Sequence, residues 1–285
     1  MSRIAYVNGR YVPHAQAQVH IEDRGYQFAD GVYEVCEILK GRLVDRRLHM
    51  DRLERSLREL SITPPMSRLA LGMVLDEVVV RNRVREGFVY LQITRGVARR
   101  DHAFPTADIR PAVVATVRSI SREKNEHTAE EGISVITMPD NRWERVDIKT
   151  VGLLPNAIAK TKAREAGAKE AWLVDADGFV TEGASTTAWI VTQDGVLVTR
   201  PNGTGILPGI TRMTATRVAE REGIRVEERK FTVDEAKRAR EAFSTGATTI
   251  ITPIVEIDGS PVANGKPGSI AMRLRAAFHE VAELD

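Results

Sequence analysis

Between residues 171 and 199 four β-rich runs, 171–174, 179–181, 188–191 and 196–199, follow one another with little more than turn residues between them. Two of the joints read Asp175-Ala176-Asp177-Gly178 and Gln193-Asp194-Gly195, and their glycines allow the positive φ values that tight turns use. Strands this short and this closely spaced imply a meander or a β-barrel-like core. Helical periodicity over residues 210–222 and 234–240 supplies elements to cover it.

The first half of the chain is patterned differently. Residues 4–7 and 10–12 flank Asn8-Gly9, a strong hairpin signal. Leu48, Leu53, Leu57 and Leu60 fall close to one face of a helix, and a second helix is expected over 69–80, after Pro64-Pro65. Further β-rich runs occupy 88–95 and 112–117, without a regular βαβ alternation. Around 121–132 the sequence turns to Arg-Glu-Lys-Asn-Glu-His-Thr with no apolar period, which reads as an interdomain linker. The 285 residues therefore divide into a small mixed α/β domain over 1–120, the linker, and a larger domain over 133–285. The fold class is α/β in the α+β sense.

Charge narrows the possible partners. The net charge is only +2, and acidic and basic residues alternate, as in Asp51-Arg52-Leu53-Glu54-Arg55 and Ala219-Glu220-Arg221-Glu222. These are solvated helix faces, whereas nucleic-acid binding needs a patch of one sign, so no nucleic-acid partner is expected. No apolar run approaches the length of a membrane span, and the first residues lead straight into a strand, so no membrane association is expected and cytoplasmic residence is the default. The single cysteine, Cys36, lies in an apolar setting and reads as a buried thiol suited to a reducing compartment.

Of the 41 basic residues only 9 are lysines, which matters because lysine forms Schiff bases at neutral pH and arginine does not. Lys40 and Lys266 adjoin turn glycines, and Lys124, Lys160, Lys162, Lys169, Lys230 and Lys237 have charged surroundings. Lys149 stands apart: it follows Val146-Asp147-Ile148 and precedes Val151-Gly152-Leu153-Leu154. Its amine either enters a partly desolvated site or snorkels from a strand end into solvent.

Residues 202–212, Asn-Gly-Thr-Gly-Ile-Leu-Pro-Gly-Ile-Thr-Arg, form a glycine-rich loop opening a helix. Such a place suits phosphate through free amides and the helix dipole, and it serves equally as a plain turn. A second run of small residues, Ser244-Thr245-Gly246-Ala247-Thr248-Thr249, offers more amides and hydroxyls. In Arg99-Arg100-Asp101-His102 the guanidinium and imidazole can bind a carboxylate or simply face solvent. Glu182 sits at a strand end, where solvent or a cofactor nitrogen is its partner.

Taken together these segments resemble the class IV, or fold-type IV, pyridoxal phosphate (PLP) aminotransferases, and within them the branch acting on D-amino acids. The resemblance runs through residues 22–34, His49-Met50-Asp51-Arg52-Leu53, Gln92-Ile93-Thr94-Arg95-Gly96, Asp147-Ile148-Lys149, Thr181-Glu182-Gly183 and Leu207-Pro208-Gly209-Ile210-Thr211-Arg212. It implies a two-domain enzyme with a barrel-like cofactor domain, in which Lys149 holds PLP as a Schiff base and shuttles the substrate proton. It further implies that Glu182 faces the pyridine nitrogen, that Leu207 lies under the ring, and that Arg52, Ile210 and Thr211 hold the phosphate with help from Gly246, Ala247 and Thr248. Tyr33, Arg100 and His102 match the carboxylate trap, the last two reaching across from the partner subunit of a homodimer. The chain departs from the family pattern at Thr187, where asparagine is common, and at Ala247, where a hydroxyl is common.

The reaction so implied is ping-pong transfer of an amino group from a D-amino acid to a 2-oxo acid such as 2-oxoglutarate or pyruvate. Branched-chain L-amino-acid transaminases, (R)-amine transaminases and aminodeoxychorismate lyase share the fold and are the alternatives.

Overall fold

A computed structural model of the chain describes residues 3–106 and 108–285. The chain divides into two compact units. The first comprises residues 1–121, 148–152 and 283–285, and the second comprises 122–147 and 153–282.

The first unit opens with the hairpin β1 (Ile4–Val7) and β2 (Arg10–Pro13), where Asn8 and Gly9 take φ values of 47° and 94°. The short helix α1 (Arg24–Phe28) leads into β3 (Gly31–Leu39) and β4 (Arg42–Leu43). Helices α2 (Arg46–Glu59) and α3 (Arg68–Asn82) follow, then β5 (Glu86–Thr94) and β6 (Ala112–Ser119). Among the described residues the six strands form one sheet in the order β2-β1-β6-β5-β3-β4, antiparallel at every pairing. Alternation along β3 buries Val32, Glu34, Cys36 and Ile38 on one face, against Met50, Leu53 and Leu57 of α2 and the inner side of α3. That face is the core of the unit.

Buried Asp30, between α1 and β3, fixes the local path of the chain. It accepts from Arg24 Nε at 2.7 Å and from Arg95 Nε and Nη2 at 2.7 and 3.0 Å. Arg24 continues to the carbonyl of Asp101 at 2.7 Å, and Arg95 caps the carbonyls of Leu60 and Ser61 at 2.7 and 3.0 Å. One carboxylate thus ties the start of β3 and the end of β5 to the 96–104 loop.

In the second unit, α4 (Arg122–Glu131) precedes β7 (Ile133–Pro139), and α5 (Leu154–Glu165) precedes β8 (Glu170–Val174) and β9 (Val180–Gly183). Then come β10 (Thr187–Val191), β11 (Leu197–Thr199), α6 (Ile210–Arg221), β12 (Val226–Glu228) and α7 (Val233–Lys237). The remaining elements are β13 (Glu241–Gly246), β14 (Ile250–Ile257), β15 (Ser260–Pro261) and α8 (Ser269–Val281). Among the described residues nine strands make a curled half-barrel in the order β12-β11-β10-β13-β14-β7-β8-β9, with β15 beside β14.

The expected hairpins β8–β9 and β10–β11 are present, yet the sheet is not a sequential meander. β7 joins both β14 and β8 in parallel, and β13 lies next to β10. Strands β8, β10 and β13 are buried at nearly every position, so they need cover on both faces, and pairing between distant segments provides it. The segment 121–132, expected as an interdomain linker, is helical over 122–131 and belongs to the second unit. Its Ala129 is fully buried, and Asn125 and Glu126 bond Thr248 and Arg275, so tertiary anchors replace the missing apolar period. Residues 146–148, expected as strand-like, form part of a turn in which the buried Asp147 holds Arg145 at 3.0 and 3.1 Å.

Removing the Asp30 carboxylate would leave two buried guanidinium groups unpaired. The Asp30→Ala protein is therefore expected to lose about 3–5 kcal/mol of stability, measurable from the midpoint of urea unfolding.

Candidate active site

Lys149 stands on the segment 148–152, which lies against the start of β3. The Tyr33 amide donates to the Lys149 carbonyl at 2.9 Å, the Val151 amide donates to Gly31 at 3.1 Å, and Thr150 forms a bridge with Val32. Lys149 is half-buried, its Nζ donates to Tyr33 Oη at 3.3 Å, and it lies 4.3 Å from the centre of the phenol ring. Among the described residues it has no carboxylate partner, whereas Lys160, Lys162 and Lys237 pair with Glu170, Glu165 and Asp258. Tyr33 stacks on Tyr90 at 5.6 Å, and burial of Tyr90, helped by the neighbouring phenol, pushes its ionisation up to about 12. The tyrosine pair gives the amine a firm wall and one hydrogen-bond acceptor.

The opposite face of β3 carries a buried ionic cluster. Glu34 accepts from Arg52 Nε and Nη2 at 2.8 and 2.7 Å and meets His49 Nδ1 at 2.8 Å. Burial works against the Glu34 charge, but Arg52 and His49 outweigh it and bring its pKa down to about 2. His49 is shifted down by its own burial, which Glu34 offsets only in part. Arg52, expected at a phosphate, has its Nε and Nη2 engaged by Glu34.

Arg100 and His102 are exposed on the 96–104 loop near Phe28, with Arg100 Cζ 5.1 Å and the His102 ring 5.5 Å from the Phe28 ring centre. Neither shares a hydrogen bond with Tyr33 or Lys149 among the described residues.

In the second unit Glu182 is buried near the end of β9. Its carboxylate receives Arg142 Nη1 and the Leu207 amide, the latter at 3.3 Å to each oxygen. The 202–209 loop that brings Leu207 there is held by buried Arg212, which donates to Asn202 Oδ1 at 3.0 Å, to the Arg200 carbonyl at 3.2 Å and to Glu228 at 2.8 Å. Helix α6 begins at Ile210 with no side chain capping it, so the amides of Ile210 and Thr211 are available to an anion.

Two further loops adjoin that helix start. A Cβ placed on Gly209 would stand 2.8 Å from Thr187 Oγ1, and one on Gly246 would stand 3.3 Å from Thr186 Cγ2. Thr187 faces Thr245 across the β10–β13 ladder, which brings the 246–249 turn alongside. Ile250 closes that turn at φ 62°, a conformation that branched residues avoid. Arg275 Nη1 holds it there by donating to the carbonyls of Thr249 and Ile251 at 2.7 and 2.6 Å, and Asn125 holds the Thr248 carbonyl at 2.8 Å. Gly246, Ala247 and Thr248 are accordingly half-buried in the turn that follows the β10–β13 ladder, with Gly246 beside Thr186.

The model of the amino-transferase class IV family matches residues 31–257. The chain belongs to that family. Among its relatives, D-alanine aminotransferase of Bacillus licheniformis is 42% identical over 271 residues, covering 95% of this chain and 94% of that protein. The D-alanine aminotransferase of Listeria innocua is also 42% identical, over 276 residues, with 96% and 94% covered. Among solved structures, Escherichia coli branched-chain amino acid aminotransferase superposes with a TM-score of 0.90 at 25% identity, covering 99% of this chain and 95% of that one. The T.th. branched-chain amino acid aminotransferase with pyridoxamine 5'-phosphate gives 0.89 at 26% identity, with 98% and 94% covered.

Class IV aminotransferases depend on PLP, and their substrates are amino acids and 2-oxo acids. The residues present fit that cofactor. Gly209 and Gly246 lie where a Cβ would press on Thr187 and Thr186, the donors near them are amides and hydroxyls suited to phosphate, and Lys149 has no carboxylate partner among the described residues. Arg142, Tyr90 and the Glu34–His49 pair were not singled out individually by sequence reasoning. Arg142 meets Glu182 across 40 positions, a separation that leaves no local pattern to read.

The Glu34 carboxyl is depressed in the folded state, so its stabilising effect is complete above its ordinary value of 4.5 and is lost as pH falls toward about 2. Glu34→Gln is expected to be roughly 3 kcal/mol less stable than the parent at pH 7. Chemical unfolding across the acid range should show that gap closing between about pH 4.5 and 2.

Proposed function

We propose that this class IV aminotransferase moves amino groups from D-amino acids, D-alanine foremost, to a 2-oxo acid such as 2-oxoglutarate or pyruvate. The observation that carries the reading is Lys149: a half-buried amine, sewn by its backbone to β3, bonded to Tyr33 Oη and without a carboxylate partner among the described residues. The D-amino-acid preference draws its support from the 42% identity, over nearly the whole length, with D-alanine aminotransferases.

When bound, PLP supplies an electron-withdrawing ring that stabilises the carbanion formed at the substrate α-carbon. In this reading Lys149 Nζ binds the cofactor and, once freed by the donor, takes the α-proton and later returns it. Tyr33 Oη steadies the amine and accompanies the substrate carboxylate. Glu182 serves the ring nitrogen, and Leu207 the ring face. Arg52, the α6 start at Ile210 and Thr211, and the Gly246-Ala247-Thr248 turn serve the phosphate.

Arg100 and His102 are assigned to the substrate carboxylate of the partner subunit in a homodimer. Their exposure supports this, as do Ile21 and Tyr26 of the same unit, 76% and 75% exposed, since large apolar side chains left in water favour a covering partner. Cytoplasmic residence belongs to the same reading and agrees with a lone thiol, Cys36, whose burial pushes its ionisation well up.

The structural similarity to branched-chain aminotransferases supports a second reading, transfer from branched-chain L-amino acids. Assaying D-alanine, L-leucine and (R)-1-phenylethylamine against one 2-oxo acid separates the options: D-alanine is expected to react fastest, and preference for L-leucine overturns the D-specific reading. Lys149→Ala is expected to lower kcat by at least about 10³-fold and to abolish the visible band that PLP gives with the parent protein. Near-normal turnover by that variant overturns the assignment of Lys149.

A further inference from the structure

We infer that Arg142 is a positioning residue for amino transfer: its guanidinium fork, seated on Asp140, holds the Glu182 carboxylate ionised and aimed for its partner. The inference rests on the function proposed above and adds to it a residue that touches neither substrate nor Lys149.

The geometry gives the fork two separate tasks. One edge is saturated by Asp140, with Nε to Oδ1 at 2.9 Å and Nη2 to Oδ2 at 2.7 Å. The other donor, Nη1, goes to Glu182 Oε1. Asp140 is itself fixed. Its amide donates to the Val174 carbonyl at 2.8 Å, and its Oδ2 accepts from Thr181 Oγ1 at 2.7 Å. Thr181 directly precedes Glu182 on β9, so Asp140, Arg142 and Glu182 are referred to one strand.

The side chains of Arg142 and Glu182 are each only 7% exposed. A carboxylate this dry tends to take up a proton, and a neutral acid at that place would compete with the ring nitrogen for it. A permanent cation on Glu182 Oε1 opposes that tendency and favours the ionised acid, which would leave the proton to the ring nitrogen of a bound cofactor. Burial opposes the Arg142 charge, but Asp140 and Glu182 together hold the guanidinium far above its ordinary value, so it does not give up its proton in exchange. Lysine does not reproduce this, because it lacks the planar fork that spans two carboxylates.

The test uses the full-length protein loaded with PLP carrying nitrogen-15 in the ring, and the variants Arg142→Gln and Arg142→Lys. Four readouts are taken: the nitrogen-15 shift, PLP affinity, Tm, and kcat with KM for the amino donor. For Arg142→Gln the shift is expected to move toward neutral pyridine, PLP binding and kcat to fall about 10- to 100-fold, and KM to change less than about threefold. Arg142→Lys is expected to lie between it and the parent.

A purely structural role would move Tm and leave the nitrogen shift and kcat of the loaded protein unchanged, and that result overturns the inference. If Arg142→Gln fails to fold, Arg142→Lys decides on the same readouts: intermediate values support the inference and parental values overturn it. A parent protein that takes up no PLP overturns the functional reading and this inference with it, whereas a loaded parent beside unchanged variants overturns the inference alone.

Discussion

The amide of Tyr33 donates to the carbonyl of Lys149, and the amide of Val151 donates to Gly31. Through these bonds five residues far along the chain, 148–152, become an annex of β3 and belong to the first unit, although their neighbours on both sides belong to the second. A flexible lysine loses considerable rotamer freedom when it is fixed for chemistry. Here the backbone is immobilised first, and the side chain needs only one phenol to find its place. Tyr33 can offer that phenol because β3 is paired with β5 along nine residues, and because the pleat turns Tyr33 to the face opposite Glu34.

The second organising constraint is the treatment of buried carboxylates. Asp30 is shared by Arg24 and Arg95, Glu34 is held by Arg52 and His49, and Glu182 by Arg142. Glu241 is satisfied instead by the start of α8, through the amides of Ile270 and Ala271 at 3.0 and 2.9 Å. A buried charge without a partner costs several kcal/mol, so each acid recruits a counterpart from another element and pins that element in place. The excess of arginine over lysine acquires a structural meaning here. A fork with five donors can serve an acid and a backbone carbonyl together, as Arg24, Arg95 and Arg275 do, and the ammonium group of lysine has no comparable fixed geometry. With arginine carrying these duties, few lysines remain, and Lys149 stands out among them.

The strained backbone of Ile250 lies where neighbouring groups enforce it. Ile250 keeps its left-handed backbone because Arg275 holds carbonyls on both sides of it and Asn125 holds the residue two positions earlier. A turn fixed this firmly presents Gly246, Ala247 and Thr248 in one conformation, which suits the phosphate role proposed for it.

Much of this protein was legible before any coordinates. The Asn8-Gly9 hairpin, α2, α3, α6 and the strand pairs β8–β9 and β10–β11 are local structures, encoded by turn chemistry and periodicity within a dozen residues. Class IV membership was likewise written in separated motifs in the right order. What tertiary structure alone decided are the relations between distant residues. The parallel entry of β7 between β14 and β8, the helical state of 122–131, the attachment of Lys149 to β3 and the meeting of Arg142 with Glu182 all join segments far apart in sequence. Local propensity carries no record of such pairings. They follow from burial, which makes every apolar face and every charge find its partner wherever the folded chain supplies one.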